Sequence, residues 1–147
     1  CIHHCSKVYQ DIEDKEILVS AITGNENETE LTFYHKGDVF SSHTSKYKNH
    51  LKKMGATSII PKNHKAQTIN KILRERNIYV LDRLYIDTEG MDVEILESID
   101  YNKYTIKYIM FESQHIEQHK LNTFLDKMSN NYIVEKKYAD TILTLKG

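Results

Sequence analysis

The sequence predicts an α/β fold with a mostly parallel sheet, and three features support this. Apolar, β-prone segments alternate with segments of helical periodicity along the second half of the chain. One apolar segment ends abruptly in Asp87, Glu89 and Gly90, and a helical pattern follows at once. The last two apolar segments are joined by a tight turn, which predicts an antiparallel hairpin at the end of the chain.

The first half of the chain is predicted to contribute two strands, a loop and a helix. Residues 17–23 form a short apolar, β-rich run that is expected to be a buried strand. Residues 28–34 alternate polar and apolar side chains, which is typical of a half-buried strand antiparallel to its neighbour. Residues 35–65 show no clear periodicity and are expected to form a long loop, functional or disordered. Apolar residues at helical spacing predict an amphipathic helix over 66–77.

The second half is predicted to alternate strands and helices before the closing hairpin. The elements expected are a strand region (79–87), a helix (91–99), a buried strand (105–111), a helix (119–128) and two strands (132–138 and 141–145). Glu112 directly follows the buried strand, and the hairpin turn is expected at Ala139 and Asp140.

Composition and charge argue against several classes of protein. A chain of 147 residues fits one domain of ordinary size. The net charge of -1 provides no general case for a nucleic-acid or membrane partner, and the apolar runs are too short to cross a bilayer. With two cysteines and no secretory signal pattern, a cytoplasmic location is expected.

Acidic side chains follow two successive strands of the predicted sheet. Asp87 and Glu89 come after the first of these strands, and Glu112 and His115 come after the second. Because parallel strands joined by one helix lie side by side or nearly so, we expect these side chains to converge on one edge of the sheet. Such a group can position a hydroxyl, accept its proton or bind a divalent metal. Equally, Glu89 can cap the next helix, Asp92 fits the helix dipole and Glu112 can pair with a lysine.

Two other polar groups are weaker candidates. Cys1, His3, His4 and Cys5 have metal-binding side chains, but they fall within five residues, too close together for one tetrahedral zinc site, and no metal is expected. Residues 40–46 can line a substrate pocket or form a solvated loop. Lysines with an interleaved tyrosine nearby are seen in nucleic-acid binders, but a lysine-rich chain produces such runs easily, and no nucleic-acid partner is expected.

The segment Asp-Thr-Glu-Gly-Met-Asp-Val-Glu-Ile-Leu at residues 87–96, followed by Ile-Met-Phe-Glu at 109–112, resembles the FkbM family of S-adenosylmethionine-dependent methyltransferases. That family has a strand, then Ile-Asp-x-Glu-Gly, a small or apolar residue, an acid and a helix, and next a strand ending in Glu. Asp92 stands where the family usually has Glu.

Weaker similarities extend over nearly the whole chain. Residues 20–23 and 32–34 look like the family's third strand and the hairpin after it, and residues 67–73 look like its Thr-Leu-Asp-x-Leu-Leu helix, with Asn70 in place of the usual Asp. The family's first two strands, with an Asp-x-Gly-Ala-Asn-x-Gly loop, have no counterpart here. The resemblance therefore implies that residues 1–147 are the C-terminal portion of one class I methyltransferase domain.

The resemblance implies a Rossmann-like sheet, S-adenosylmethionine as cofactor, and methyl transfer to a hydroxyl of a sugar, glycan or other small molecule. The residues implied are Asp87 and Glu89 for catalysis, Ser41, Ser42, Glu112 and His115 for the substrate, and Ala21, Ile22 and Asp87 for the cofactor. A hydroxyl nucleophile benefits from a base, and a carboxylate at a strand end can serve.

Two alternative functions stay open at this point. The first is a metal-dependent hydrolase with Asp87, Glu89, Glu112 and His115 as ligands, which a divalent metal would stabilise and a chelator would destabilise. The second is a non-catalytic remnant or binding module, in which Asp87→Asn would change no activity. The sequence does not determine the oligomeric state, although an edge strand left bare would favour self-association.

Overall fold

The computed structural model describes residues 11–36, 40–42, 60–88 and 90–147, with the backbone alone described at 34–36, 40–42 and 60–62. Its strands are β1 (Ala21–Ile22), β2 (Glu30–Lys36), β3 (Phe40–Ser42), β4 (Ile60–Gln67), β5 (Val80–Leu81), β6 (Leu84–Ile86), β7 (Thr105–Ile106), β8 (Tyr108–Glu112), β9 (Tyr132–Lys137) and β10 (Asp140–Leu145). Its helices are α1 (Ile69–Glu75), α2 (Asp92–Glu97) and α3 (Gln118–Met128). The fold of the described residues is therefore mixed α/β.

The strands form three sheets, with orders β1-β4-β2-β3, β6-β8-β10-β9 and β5-β7. In the second sheet β6 and β8 are parallel, while β10 is antiparallel to both β8 and β9. The two-stranded sheet continues the β6–β8 pair, because Val80 pairs with Thr105 and Leu84 pairs with Ile109, the same offset of 25 residues. The sheets β5-β7 and β6-β8-β10-β9 therefore follow one parallel register across the bend at Asp82.

The pairing is less parallel than the sequence predicts. Among the described strands, three pairs are parallel (β1–β4, β5–β7 and β6–β8) and four are antiparallel (β2–β3, β2–β4, β8–β10 and β9–β10). The predicted C-terminal hairpin is confirmed as the β9–β10 pair. The antiparallel strand predicted over 28–34 is confirmed as β2. The expectation of an uninterrupted loop over 35–65 is wrong at β3 and β4, because backbone pairing with β2 forms these strands without side-chain periodicity.

The apolar run at 17–23 is a strand only at its end. The exposed members of this run are Ile17, Leu18 and Val19, at 37% to 65% exposure. The expectation of a buried strand is therefore wrong before β1, because the ladder with β4 begins only at Ala21. The segment before β1 is instead attached to the end of α1 through Glu16. The Glu16 carboxylate accepts hydrogen bonds of 2.6 and 2.5 Å from the Arg76 guanidinium. These bonds lower the pKa of Glu16 from its ordinary value.

The three described helices lie within or close to their predicted ranges. α1 begins at Ile69 because the Thr68 hydroxyl caps it, accepting from the Lys71 N–H at 3.2 Å, so the predicted start at residue 66 is wrong and Ala66 belongs to β4. The α3 side chains at helical spacing form its buried face: Leu121, Phe124, Leu125 and Met128.

The hairpin turn lies at Tyr138 and Ala139, one residue earlier than predicted, since Asp140 already pairs with Lys137.

One main core joins the helices to the site-bearing sheet. The Phe111 ring of β8 meets the Phe124 ring of α3 edge to face at 5.8 Å, and both side chains are buried. Gly24, in the loop after β1, lies against α2, where an added Cβ would be 2.8 Å from the Glu94 carbonyl oxygen. A side chain at position 24 would clash with the backbone of α2, so glycine allows the loop after β1 to pack directly against this helix.

Tyr101→Phe is expected to raise the free energy of unfolding by about 1 kcal/mol, because it removes a buried polar group that makes no hydrogen bond. The Tyr101 hydroxyl has no partner among the described residues, and burial raises its pKa. The adjacent Tyr132 ring lies 6.3 Å away, and its hydroxyl donates to the Ile106 carbonyl at 2.9 Å. Tyr132→Phe is the matched control and is expected to cost about 1 kcal/mol. Urea denaturation measures both changes, and effects of the same sign would contradict this account.

Candidate active site

The carboxyl ends of β6 and β8 bring two sequence-predicted acids together. Ile86 pairs with Phe111 in the parallel ladder, so the residues that follow them, Asp87 and Glu112, lie at the same edge of the sheet. Both border an open pocket of roughly 250 Å³. Its other lining residues are Tyr85, Ile86, Met110 and Asp140. The pocket thus combines carboxylates with an apolar and aromatic wall.

Asp140 is a third carboxylate that sequence reasoning missed. It is the first residue of β10, and the antiparallel register places it opposite Glu112. The sequence predicts that it lies in the hairpin turn, where an acid is ordinary and carries no functional signal. Only the register between β8 and β10 shows that it reaches the pocket.

The hairpin turn holds the loop after β8 in place. The Ala139 carbonyl oxygen accepts hydrogen bonds from the N–H groups of Ser113 (2.8 Å) and Gln114 (3.2 Å) and from the Ser113 hydroxyl (3.2 Å). The Thr141 hydroxyl is 2.9 Å from the Ser113 oxygen. The turn therefore sets the course of the segment that carries Gln114 and His115.

Glu112, Gln114 and His115 form a connected polar group beside the pocket. The Gln114 amide nitrogen donates to Glu112 Oε1 at 2.5 Å and lies 3.1 Å from His115 Nε2. His115 Nε2 is 3.7 Å from the same glutamate oxygen, so a protonated His115 forms an ion pair with Glu112. The Glu112 side chain is only 17% exposed, whereas His115 is open to solvent. This group can bind hydroxyl groups and can hold a proton.

The loop between β6 and α2 is organised by Asp92. Its Oδ1 accepts from the Thr88 N–H at 3.3 Å and its Oδ2 accepts from the Gly90 N–H at 3.2 Å. The Asp92 side chain is fully buried. Sequence reasoning credited Asp92 only with a favourable interaction with the helix dipole, whereas the structure shows that it holds the loop before the helix.

The two site loops are adjacent. Gly90 has φ of 99°, a conformation that favours glycine, and an added Cβ there would lie 3.9 Å from the His115 carbonyl oxygen. The loop after β6 therefore runs beside the loop after β8, as the sequence predicts for acids following successive parallel strands. Backbone N–H groups of the first loop donate to the Asp92 carboxylate, and those of the second donate to the Ala139 carbonyl oxygen.

The remaining predicted site residues lie elsewhere or outside the described residues. Ala21 and Ile22 form β1, and Ser41 and Ser42 belong to β3, so all four lie in the sheet β1-β4-β2-β3. The two serines are in a strand, which corrects the expectation of a loop at 40–42, because they pair with β2. Glu89, residues 43–46 and the Cys1 to Cys5 segment lie outside the described residues. The roles of all these residues stay predictions.

Two negative findings apply to the described ranges alone. Residues 11–36, 40–42, 60–88 and 90–147 contain no group of three or more His, Cys, Asp or Glu side chains arranged to hold a metal ion. Glu89, one of the four ligands of the hydrolase alternative, lies outside these ranges, so that alternative stays a prediction. No described helix has both the length and the apolar character needed to cross a bilayer.

The carboxylates at the ends of the adjacent parallel strands β6 and β8 lie where open α/β sheets bind ligands. Residues 6–138 match the family model of the methyltransferase FkbM domain. The match covers most of the 147 residues, so this chain belongs to the FkbM methyltransferase family, and the predicted family is confirmed. Comparison with curated proteins and with solved structures gave no match.

Proposed function

We propose that this chain belongs to an S-adenosylmethionine-dependent O-methyltransferase that acts on a hydroxyl of a sugar, glycan or other small molecule. The observation that carries the proposal is the pocket shared by Asp87 and Glu112 at the carboxyl ends of β6 and β8. Membership of the family supports methyl transfer. The oxygen acceptor, the cofactor and a Rossmann-like sheet with an antiparallel C-terminal hairpin are parts of the proposal.

The residues of the pocket fit a cofactor with a positively charged sulfur. When bound, S-adenosylmethionine supplies a methyl group that is already activated on a sulfonium. Three carboxylates, those of Asp87, Glu112 and Asp140, border the pocket and favour a cation, and the Tyr85 ring and Met110 provide a polarisable wall. Ala21 and Ile22 are proposed for the adenine side, where the family resemblance puts them.

The chain's own side chains have three tasks in this mechanism. They must align the acceptor oxygen, exclude water and take the proton that the hydroxyl loses as its oxygen gains the methyl group. We assign proton acceptance to Asp87, which is exposed at the strand end, with Glu89 beside it in the sequence as the second candidate. Glu112 and His115 hold the acceptor hydroxyls, and the bond from Gln114 keeps the Glu112 carboxylate in position.

Isothermal titration of S-adenosylmethionine and S-adenosylhomocysteine into the 147-residue chain tests this proposal. We expect binding weaker than micromolar, because the family's first two strands and their glycine-rich loop have no counterpart in these residues, and we expect the sulfonium form to bind more tightly than the neutral thioether because of the carboxylates. Asp87→Asn is expected to weaken S-adenosylmethionine about tenfold, or about 1.4 kcal/mol, and to reduce the difference between the two ligands.

Asp126→Asn is the matched control, because Asp126 is an exposed acid on α3 that does not line the pocket. It is expected to leave both affinities unchanged. Absence of binding at millimolar ligand would contradict cofactor binding by this chain. Equal affinities for wild type and Asp87→Asn would contradict a contribution of the Asp87 carboxylate to binding of the sulfonium.

A further inference from the structure

The side chain of Gln114 links Glu112 to His115 in the loop after β8. Its amide nitrogen lies 2.5 Å from Glu112 Oε1 and 3.1 Å from His115 Nε2. The backbone that carries this side chain is held in place, because the Gln114 N–H donates to the Ala139 carbonyl oxygen at 3.2 Å. One amide nitrogen therefore meets a carboxylate and an imidazole at the same time.

The Glu112 carboxylate fixes the orientation of this amide. An ionised carboxylate offers only acceptor oxygens, so the Gln114 atom that lies 2.5 Å from Oε1 must carry a hydrogen. The reverse orientation would place the Gln114 carbonyl oxygen against Oε1, where two acceptors have no proton between them. The NH₂ group of Gln114 therefore faces Glu112, and one of its two hydrogens is used in that bond.

The second amide hydrogen determines which nitrogen of His115 carries the proton. The NH₂ group can only donate, so Nε2 at 3.1 Å must accept, and an accepting ring nitrogen carries no proton. A neutral imidazole has one proton, which must then lie on Nδ1. In the competing arrangement Nε2–H donates to Glu112, but 3.7 Å separates these two atoms, which is too long for a hydrogen bond.

We propose that Gln114 is a positioning residue that holds neutral His115 in the Nδ1–H tautomer. Nδ1 has no hydrogen-bond partner among the described residues, so its N–H is a donor that a ligand can use. For the proposed function, on which this consequence rests, His115 donates to the acceptor oxygen. It does not remove the hydroxyl proton, because its lone pair is engaged by Gln114, and proton acceptance is left to a carboxylate.

The ¹⁵N chemical shifts of the imidazole rings in the 147-residue chain test the tautomer, because a ring nitrogen with a proton differs from one without. The spectra are recorded at a pH where the rings are neutral. Wild-type His115 is expected to be mainly in the Nδ1–H form. His119 is the internal reference, because its exposed side chain makes no hydrogen bond to the described residues. The measurement needs neither cofactor nor acceptor, so its failure is distinguishable from failure of the proposed function.

Four variants test the chain of contacts that sets the tautomer. Gln114→Ala removes the donor and is expected to lower the ratio of Nδ1–H to Nε2–H in His115 about threefold or more. Gln114→Glu replaces the donor by an acceptor and is expected to make Nε2–H the main form. Glu112→Gln removes the carboxylate that orients the amide and is expected to lower the ratio. Gln118→Ala is the matched control, because the Gln118 amide donates to Asn122 at 2.8 Å, and it is expected to leave the ratio unchanged.

Backbone amide spectra establish that each variant is folded, and the His119 shifts are expected to stay the same in all of them. A wild-type His115 that is mainly in the Nε2–H form would overturn the proposal. So would a ratio that Gln114→Ala leaves unchanged, or one that Gln114→Ala and Gln118→Ala change equally. Retention of the Nδ1–H form in Gln114→Glu would also overturn it, because the residue at position 114 would then not set the tautomer.

Discussion

Asp92→Ala is expected to lower the free energy of unfolding by about 3 kcal/mol, because it removes a buried carboxylate and leaves two part-buried N–H groups without their acceptor. In the native protein the Asp92 carboxylate accepts from Thr88 and Gly90, and it is fully buried. The same change frees the loop that carries Asp87 at the pocket. Urea denaturation measures the stability loss, and amide hydrogen exchange at Thr88 and Gly90 is expected to become faster.

Two further variants separate the hydrogen bonds from general damage to α2. Asp92→Asn keeps one acceptor oxygen but presents an amide NH₂ to the other N–H, so it is expected to cost about 1.5 kcal/mol. Glu97→Ala, at an exposed position of the same helix, is expected to cost less than about 0.5 kcal/mol. A loss for Asp92→Ala no larger than that for Glu97→Ala would contradict the role assigned to Asp92.

Asn70→Asp is expected to destabilise the protein by about 2 kcal/mol, although it introduces the residue that the family usually has. The Asn70 amide nitrogen donates to the Ser98 carbonyl at 2.8 Å, and its oxygen accepts from the Asp100 N–H at 3.1 Å. An aspartate keeps the acceptor, loses the donor and places a negative charge against the Ser98 carbonyl. This side chain joins α1 to the turn after α2.

The pH dependence makes the Asn70 prediction specific. A protonated aspartic acid can donate to the Ser98 carbonyl as the amide does, so the stability difference from wild type is expected to shrink as pH falls. Asn27→Asp, the same chemical change at an exposed turn, is the control. Urea denaturation at neutral and acidic pH gives both differences. A difference that grows toward acidic pH would contradict the proposed donor.

Local patterns predicted the parts of the fold that depend on neighbouring residues. The periodicity of Leu121, Phe124, Leu125 and Met128 places them on one helix face, and all four are buried. The strand, the acids and the helix around Asp87 predicted the FkbM family, and the match over residues 6–138 confirms the family. In both cases the signal lies within about one element of the chain.

Expectations failed where a strand depends on a distant partner. The sequence did not predict β4, because its segment shows no periodicity. Its ladder with β2 is formed by backbone hydrogen bonds, which do not require alternating side chains. The run at 17–23 had the composition of a buried strand, but its burial depends on how far the pairing with β4 extends. Composition therefore indicated β-structure without indicating its extent.

By itself, the sequence determined the family, the α/β alternation and the two acids at the ends of successive strands. Only the tertiary structure decided that Asp140 lies opposite Glu112, that Asp92 holds the loop before its helix, and that the Ala139 carbonyl binds the loop after β8. The physical reason is the range of the interactions. Helical periodicity and motif spacing are set by residues close in the chain, whereas strand register and loop hydrogen bonds join residues that only folding brings together.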